Sequence, residues 1–139
     1  MDFRFDQGVP ILRRTPSLLR ALLEDLDLEW TDATEGPGKW TPFDVVGHLV
    51  HGDHANWIPR IEHLLHHEET LPFPPFDREA MFTASRGLSI GDLLDRFEGL
   101  RAESLVRLEG LRLTDADLSR RGKHPDFGAV TLGQLLATW

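Results

Sequence analysis

Three times in this chain a Ser or Thr stands three residues ahead of an acid or amide and opens a run of apolar residues at helical spacing. The pairs are Thr41 with Asp44, Ser89 with Asp92 and Thr131 with Gln134. In this pattern the hydroxyl accepts a backbone amide from the first turn, and the later side chain can accept the amide of the capping residue. Pro42 strengthens the first case, because proline is tolerated at the first helical position. The signatures predict helices over about 42–68, from 90 to near Leu111, and from 131 onward. Upstream, Ile11, Leu12, Leu18, Leu19, Leu22, Leu23 and Leu26 recur at helical spacing behind Pro10, predicting a helix over about 8–27.

Between these helices lie three connections. Residues 30–39 (WTDATEGPGK) are rich in turn formers. Leu71-Pro72-Phe73-Pro74-Pro75-Phe76 cannot be regular helix and reads as a stiff, extended crossing, followed by one or two helical turns within 77–83. Residues 120–130 (RRGKHPDFGAV) read as an irregular loop. With no repeat and no domain boundary, the expected architecture is all-α, a four-helix bundle in one domain over 1–139 with a long crossing between helices two and three.

On a helical wheel Val46, Leu49, Val50, Trp57, Ile61, Leu64 and Leu65 share one broad apolar arc of the second helix. Val45, His48, Gly52, Ala55 and Pro59 form a strip of mostly small residues largely opposite it, where a neighbouring helix or a ligand could approach closely. Pro59 lacks an amide and crowds the carbonyl of Ala55, so a kink is expected there. Trp40, Phe43, Trp57 and Phe97 are expected in the core, with pocket lining as the other reading of Trp57. Phe73 and Phe76 either cover a cavity at the bundle end or anchor the crossing.

The chain carries 15 Lys and Arg against 23 Asp and Glu, a net charge of −8. That balance disfavours a phosphate-tracking surface and hence nucleic acid as a partner. No run approaches the roughly 20 apolar residues that span a bilayer, and no leader-like start is present, so a cytoplasmic protein is expected. There is no cysteine, which excludes disulfides, a thiolate nucleophile, iron–sulfur clusters and Cys-ligated zinc. Any metal would rest on His, Asp and Glu. His48, His51, His54, His63, His66 and His67 crowd the second helix, and only His124 lies elsewhere. Several of these pairs have i, i+3 or i, i+4 spacing, but two histidines on one helix do not complete a site. His63, His66 and His67 read as solvated at a helix end, and His51 as a boundary residue. Asp53 and His54 read either as a buried polar pair or as the edge of an arc drawn too wide, with Asp53 also a candidate to orient a ligand. His48 stands apart in its setting of small residues.

The segment Trp40-Thr41-Pro42-Phe43-Asp44-Val45-Val46-Gly47-His48-Leu49-Val50 resembles a signature of the DinB superfamily, and Thr131-Leu132-Gly133-Gln134-Leu135-Leu136-Ala137 resembles the lead into its second signature. The resemblance implies an up-down-down-up four-helix bundle, often a homodimer, holding a divalent metal (Zn, Ni or Fe) with three histidines. His48 matches the first of these. The other two form a pair on the fourth helix that the resemblance places just past Trp139, so the fourth helix is expected to be incomplete here and tight metal binding by these residues alone is not expected. Activities implied are metal-dependent hydrolysis of small molecules or transfer of a low-molecular-weight thiol such as mycothiol or bacillithiol. The alternative is a non-catalytic, stress-related bundle that binds a small ligand or a protein partner. No catalytic acid, base or nucleophile is legible.

Overall fold

The structure is a computed structural model that describes residues 3–139. All three cap signatures form reciprocal capping boxes. Thr41, Ser89 and Thr131 each accept the amide of the residue three later and return their own amide to its side chain, at 2.8–3.1 Å. They open α3 (Pro42–Ala55), α6 (Ile90–Gly110) and α7 (Leu132–Thr138). With α1 (Phe5–Leu23) and α4 (Trp57–His67) these make the expected four-helix bundle, α3 and α4 serving as one interrupted helix. Short helices α2 (Leu28–Thr31) and α5 (Ala80–Ala84) lie in the connections.

Three boundaries differ from expectation. The first helix begins at Phe5 and ends at Leu23, because Asp25 takes φ +63° and turns the chain out of the helix. The second is broken outright at Asn56, whose ψ of −63° is paired with a φ of −116°. Pro59 supplies the cause: it cannot donate to the Ala55 carbonyl, so the helix stops there and restarts with Pro59 in its first turn. Residues 120–130 are not an irregular loop. They hold a hairpin, β1 (Arg121–His124) against β2 (Gly128–Thr131), antiparallel with His124 opposite Gly128. The three-residue turn Pro125-Asp126-Phe127 is closed by Gly128 at φ +72°, a conformation that glycine adopts at little cost. Strands this short, with a single large apolar side chain, show no alternation to read.

The proline crossing docks on this hairpin. Phe73 donates its amide to the Lys123 carbonyl at 2.9 Å and buries its ring. A Cβ on Gly122 would come within 2.9 Å of that ring, so a bare backbone is what lets the strand lie on it. Phe73 is thus an anchor, packed with Ile58, Ile61, Leu64, Leu108, Leu132, Leu135 and Leu136 in the larger apolar cluster. A smaller cluster of Val46, Leu93 and Leu94 lies toward the other end of α3 and α6. Phe97 is fully buried, as expected, but Trp40 is 39% exposed and Phe43 and Trp57 are only partly buried. Gly52 faces the Trp57 indole of its own broken helix, and Gly47 admits the Ser85 side chain.

Between the two clusters, along both α3–α4 and α6, sits a buried ion pair. Arg101 Nε donates to Asp53 Oδ2 at 2.8 Å, with side-chain exposures of 3% and 0%. Arg101 also donates to the carbonyl of Leu12 at 3.0 Å. That carbonyl lacks its helical partner because the residue four ahead is Pro16, which has no N–H. Trp139 Nε1 donates to Asp53 Oδ1 at 2.8 Å, and the guanidinium lies over the Phe97 and Trp139 rings at 4.8 and 5.3 Å. One node therefore ties α1, α3, α6 and the end of α7. Asp53→Ala should cost about 3–5 kcal/mol in urea unfolding, because Arg101 keeps its charge with no counterion. The double replacement Asp53→Leu with Arg101→Met should cost clearly less than the single change; an equal or larger loss would mean that the charges themselves stabilise the bundle.

Candidate functional site

Where α3 breaks, the chain opens a cleft of about 570 Å³. His48 and Asn56 come from α3 and the break, Trp57 and Arg60 from the first turn of α4, Phe76 and Arg78 from the crossing, and His124 to Phe127 from the hairpin turn. Gln134, Leu135 and Thr138 of α7 complete the wall. The kink gives the cleft its shape, because a continuous helix would turn Asn56, Trp57 and Arg60 to other bearings.

Two buried side-chain atoms lack any hydrogen-bond partner among the described residues, His48 Nδ1 and Asn56 Oδ1, and both residues line this cleft. Unpaired buried polar atoms are uncommon and costly, of the order of 1–3 kcal/mol each. The His48 ring is held by aromatic neighbours, Trp40 at 4.9 Å between centroids and Phe76 at 6.2 Å. Burial, with smaller contributions from the charge of Arg78 and of His51, holds its imidazole below the ordinary histidine value. It is therefore neutral near pH 7 and has a lone pair to offer.

In the same cleft Arg60 Nη1 lies 3.1 Å from His124 Nε2. His124 Nδ1 accepts the backbone amide of Asp126 at 3.1 Å. Burial and the Arg60 charge lower the pKa of His124, against a smaller pull from Asp126. Arg60 is itself partly buried, which pushes its guanidinium pKa down.

The remaining histidines take structural or solvated positions. His51 donates from Nε2 to the Asp77 carbonyl at 2.8 Å and stacks on Phe76, pinning the crossing to α3. His63 donates to the Leu71 carbonyl at 3.0 Å and is half-buried, which corrects the expectation of full solvation, whereas His66 and His67 are exposed. His54 is exposed, so it forms no buried pair with Asp53. Asp53 accepts from Arg101 and Trp139 and does not orient His48. Burial pushes its carboxyl up, opposed by Arg101 and the indole N–H. Phe76 covers the cleft while Phe73 anchors, and Trp57 lines the cleft, stacked 6.3 Å from Trp139. Arg60, Arg78 and Asn56 carried no sequence signal and Gln134 only that of a helix cap, since only the kink and the hairpin bring them to one place.

The sequence pattern of the DinB superfamily matches residues 11–139. This chain belongs to the DinB superfamily. A protein of Oceanobacillus iheyensis named "Putative metal-dependent hydrolase OB0782" is 29% identical over 121 residues, spanning 86% of this chain and 67% of that one. The structure of YfiT from Bacillus subtilis, described as a probable metal-dependent hydrolase with an unusual four-helix bundle topology, superposes with a TM-score of 0.77. It is 26% identical and covers 94% of this chain and 74% of its own. In this DinB-superfamily bundle no three His, Asp or Glu side chains converge to hold a metal among the described residues. Among the described residues His48 stands out by its buried, unpartnered Nδ1.

The state of His48 is measurable. An unfolded histidine titrates near 6.5, while the folded ring titrates lower, so the unfolded state binds the proton first as pH falls. Stability should therefore decline as pH drops through about 6.5, until the folded ring also protonates. The His48 Cε1–H resonance should show a midpoint below that value, and His48→Gln should flatten this part of the stability profile. A midpoint at or above 6.5 would show the ring to be solvated or paired.

Proposed function

We propose that this protein is a metal-dependent hydrolase of small molecules, with His48 as one imidazole donor to the metal. The observation that carries this reading is the unpartnered, buried Nδ1 of a neutral imidazole beside a second orphaned polar atom in one cleft. The names of the two relatives support the reaction class. A divalent metal would supply Lewis acidity and a more acidic bound water. The chain's own residues do the rest. Trp40 and Phe76 fix the imidazole plane, burial keeps it unprotonated, and Asn56 Oδ1 offers an acceptor to a substrate N–H or O–H. Trp57 and Leu135 supply an apolar wall that excludes water from one side of the substrate.

Transfer of a low-molecular-weight thiol is the companion chemistry of the proposal, since the same cleft could seat such a thiol. The net charge of −8 supports a small-molecule substrate over nucleic acid. No helix among the described residues is long and apolar enough to cross a membrane. Ile11, Leu18 and Leu22 form an exposed apolar row on α1 that supports assembly as a homodimer, which sedimentation equilibrium reads directly. The absence of a three-donor cluster among the described residues favours the second reading, a bundle that binds a small ligand without turnover.

Metal content and hydrolysis separate the two. The full-length protein should retain a divalent metal through dialysis and hydrolyse small amide or ester substrates, and His48→Ala should lose both by at least about tenfold. A full-length protein that holds no metal, or a His48→Ala variant that holds it equally well, would sink the hydrolase reading.

A further inference from the structure

The cleft contains more positive charge than its own residues can use. Arg60 and Arg78 both line it, in a protein whose net charge is −8, and neither forms an ion pair with an acid among the described residues. Their charges oppose one another, and the charge of Arg78 contributes to the lowered pKa of both Arg60 and His48. Arg60 also has a partner that cannot fully serve it. His124 meets a donor at each ring nitrogen, the Arg60 guanidinium at Nε2 and the Asp126 amide at Nδ1. A neutral imidazole has one lone-pair nitrogen, and a guanidinium can only donate. One donor is therefore always left over, and the amide, fixed by the hairpin turn, cannot move away. Asp126, the one acid among the residues that line the cleft, is 78% exposed and approaches His124 Nδ1 only to 3.9 Å. It raises the Arg60 pKa less than burial lowers it.

Part of the same lining is apolar. Trp57 and Leu135 contribute to it, and Phe127 at the hairpin tip lines the cleft while 75% exposed.

We propose that this cleft selects small organic oxyanions, with Arg60 as the residue that receives the carboxylate or phosphate and Arg78 assisting, while the ligand's apolar body packs on Trp57 and beneath Phe127. The oxyanion accepts the N–H groups that His124 leaves over and screens the two guanidinium groups from each other. Arg is suited to this because its planar fork can donate two parallel hydrogen bonds to one oxyanion. The inference deepens the proposed hydrolytic reading by naming its substrate class, but it concerns binding and needs neither metal nor turnover.

Binding is therefore tested with a chelator present, on the full-length protein, by tryptophan fluorescence and by the Arg60 Nε–H resonance. The probes are phenylacetate, phenyl phosphate and the neutral phenylacetamide. At least one anion should bind about tenfold or more tightly than the amide and shift the Arg60 resonance, as expected for charge-assisted hydrogen bonds. Arg60→Gln should remove that preference, Arg78→Gln should weaken it, and Arg13→Gln, an exposed arginine paired with Glu109, should leave it intact. Comparing the two anions tells carboxylate from phosphate. Equal affinity for acid and amide, no binding of either anion, or a preference that survives Arg60→Gln in a variant with native circular dichroism would each overturn the proposal. Loss of hydrolysis with anion binding retained would overturn the metal reading alone.

Discussion

The bundle depends on one buried charge pair. Arg101 and Asp53 lie between two apolar clusters, and each is desolvated at a cost that only close mutual pairing offsets. The pair is saturated from the side: Trp139 donates to the carboxylate, and Arg101 donates to a Leu12 carbonyl that Pro16 has left without a helical partner. Proline in the middle of α1 would ordinarily weaken the helix. Here it frees an acceptor at the one point where another helix brings a donor. The same contact fixes the rotation of α1, α3 and α6 about their axes and the placement of Trp139, because two apolar helices can slide past one another more easily than a buried polar node with several partners can re-form.

The candidate site lies close to this node and depends on it indirectly. Trp139 stacks on Trp57 while it bonds Asp53, so the wall of the cleft is held by the ion pair. The floor is shaped by Pro59. By ending α3 at Ala55 it brings Trp57 and Arg60 into the cleft that His48 lines, and it leaves Asn56 at a position with no internal partner for its side-chain Oδ1. The third wall is the hairpin, held against the bundle by Phe73 and by the bare backbone of Gly122. A polar cleft with two orphaned atoms and two unpaired guanidinium groups is a conflict between local and global preference, the kind that folded proteins retain where they bind something.

Much of the scaffold could be read from single residues because the forces involved are local. Capping at Thr41, Ser89 and Thr131 involves partners three residues away, and the effect of Pro59 on Ala55 spans four. His48 was legible for a different reason, its place in a family signature. The failures have physical causes as well. Asp53 and His54 are adjacent on the helix yet end up in opposite environments, since Arg101, 48 residues on, neutralises one of them. Trp40 has the composition of a core residue but is 39% exposed, its ring lying beside His48. The hairpin was hidden because four-residue strands with one large apolar side chain carry almost no periodicity, and their stability comes from Phe73.

By itself the sequence determined where three helices are capped, that Pro59 disturbs the second one near Ala55, and that any metal must be held by imidazole or carboxylate, since each follows from covalent structure or from neighbours within one turn. Only the tertiary structure decided which polar residues share a cavity. Arg60, Arg78 and His124 are separated by 18 and 46 positions, and their meeting depends on the kink, the docked crossing and the hairpin acting together. Charges that far apart in the chain interact only when folding has removed the water between them.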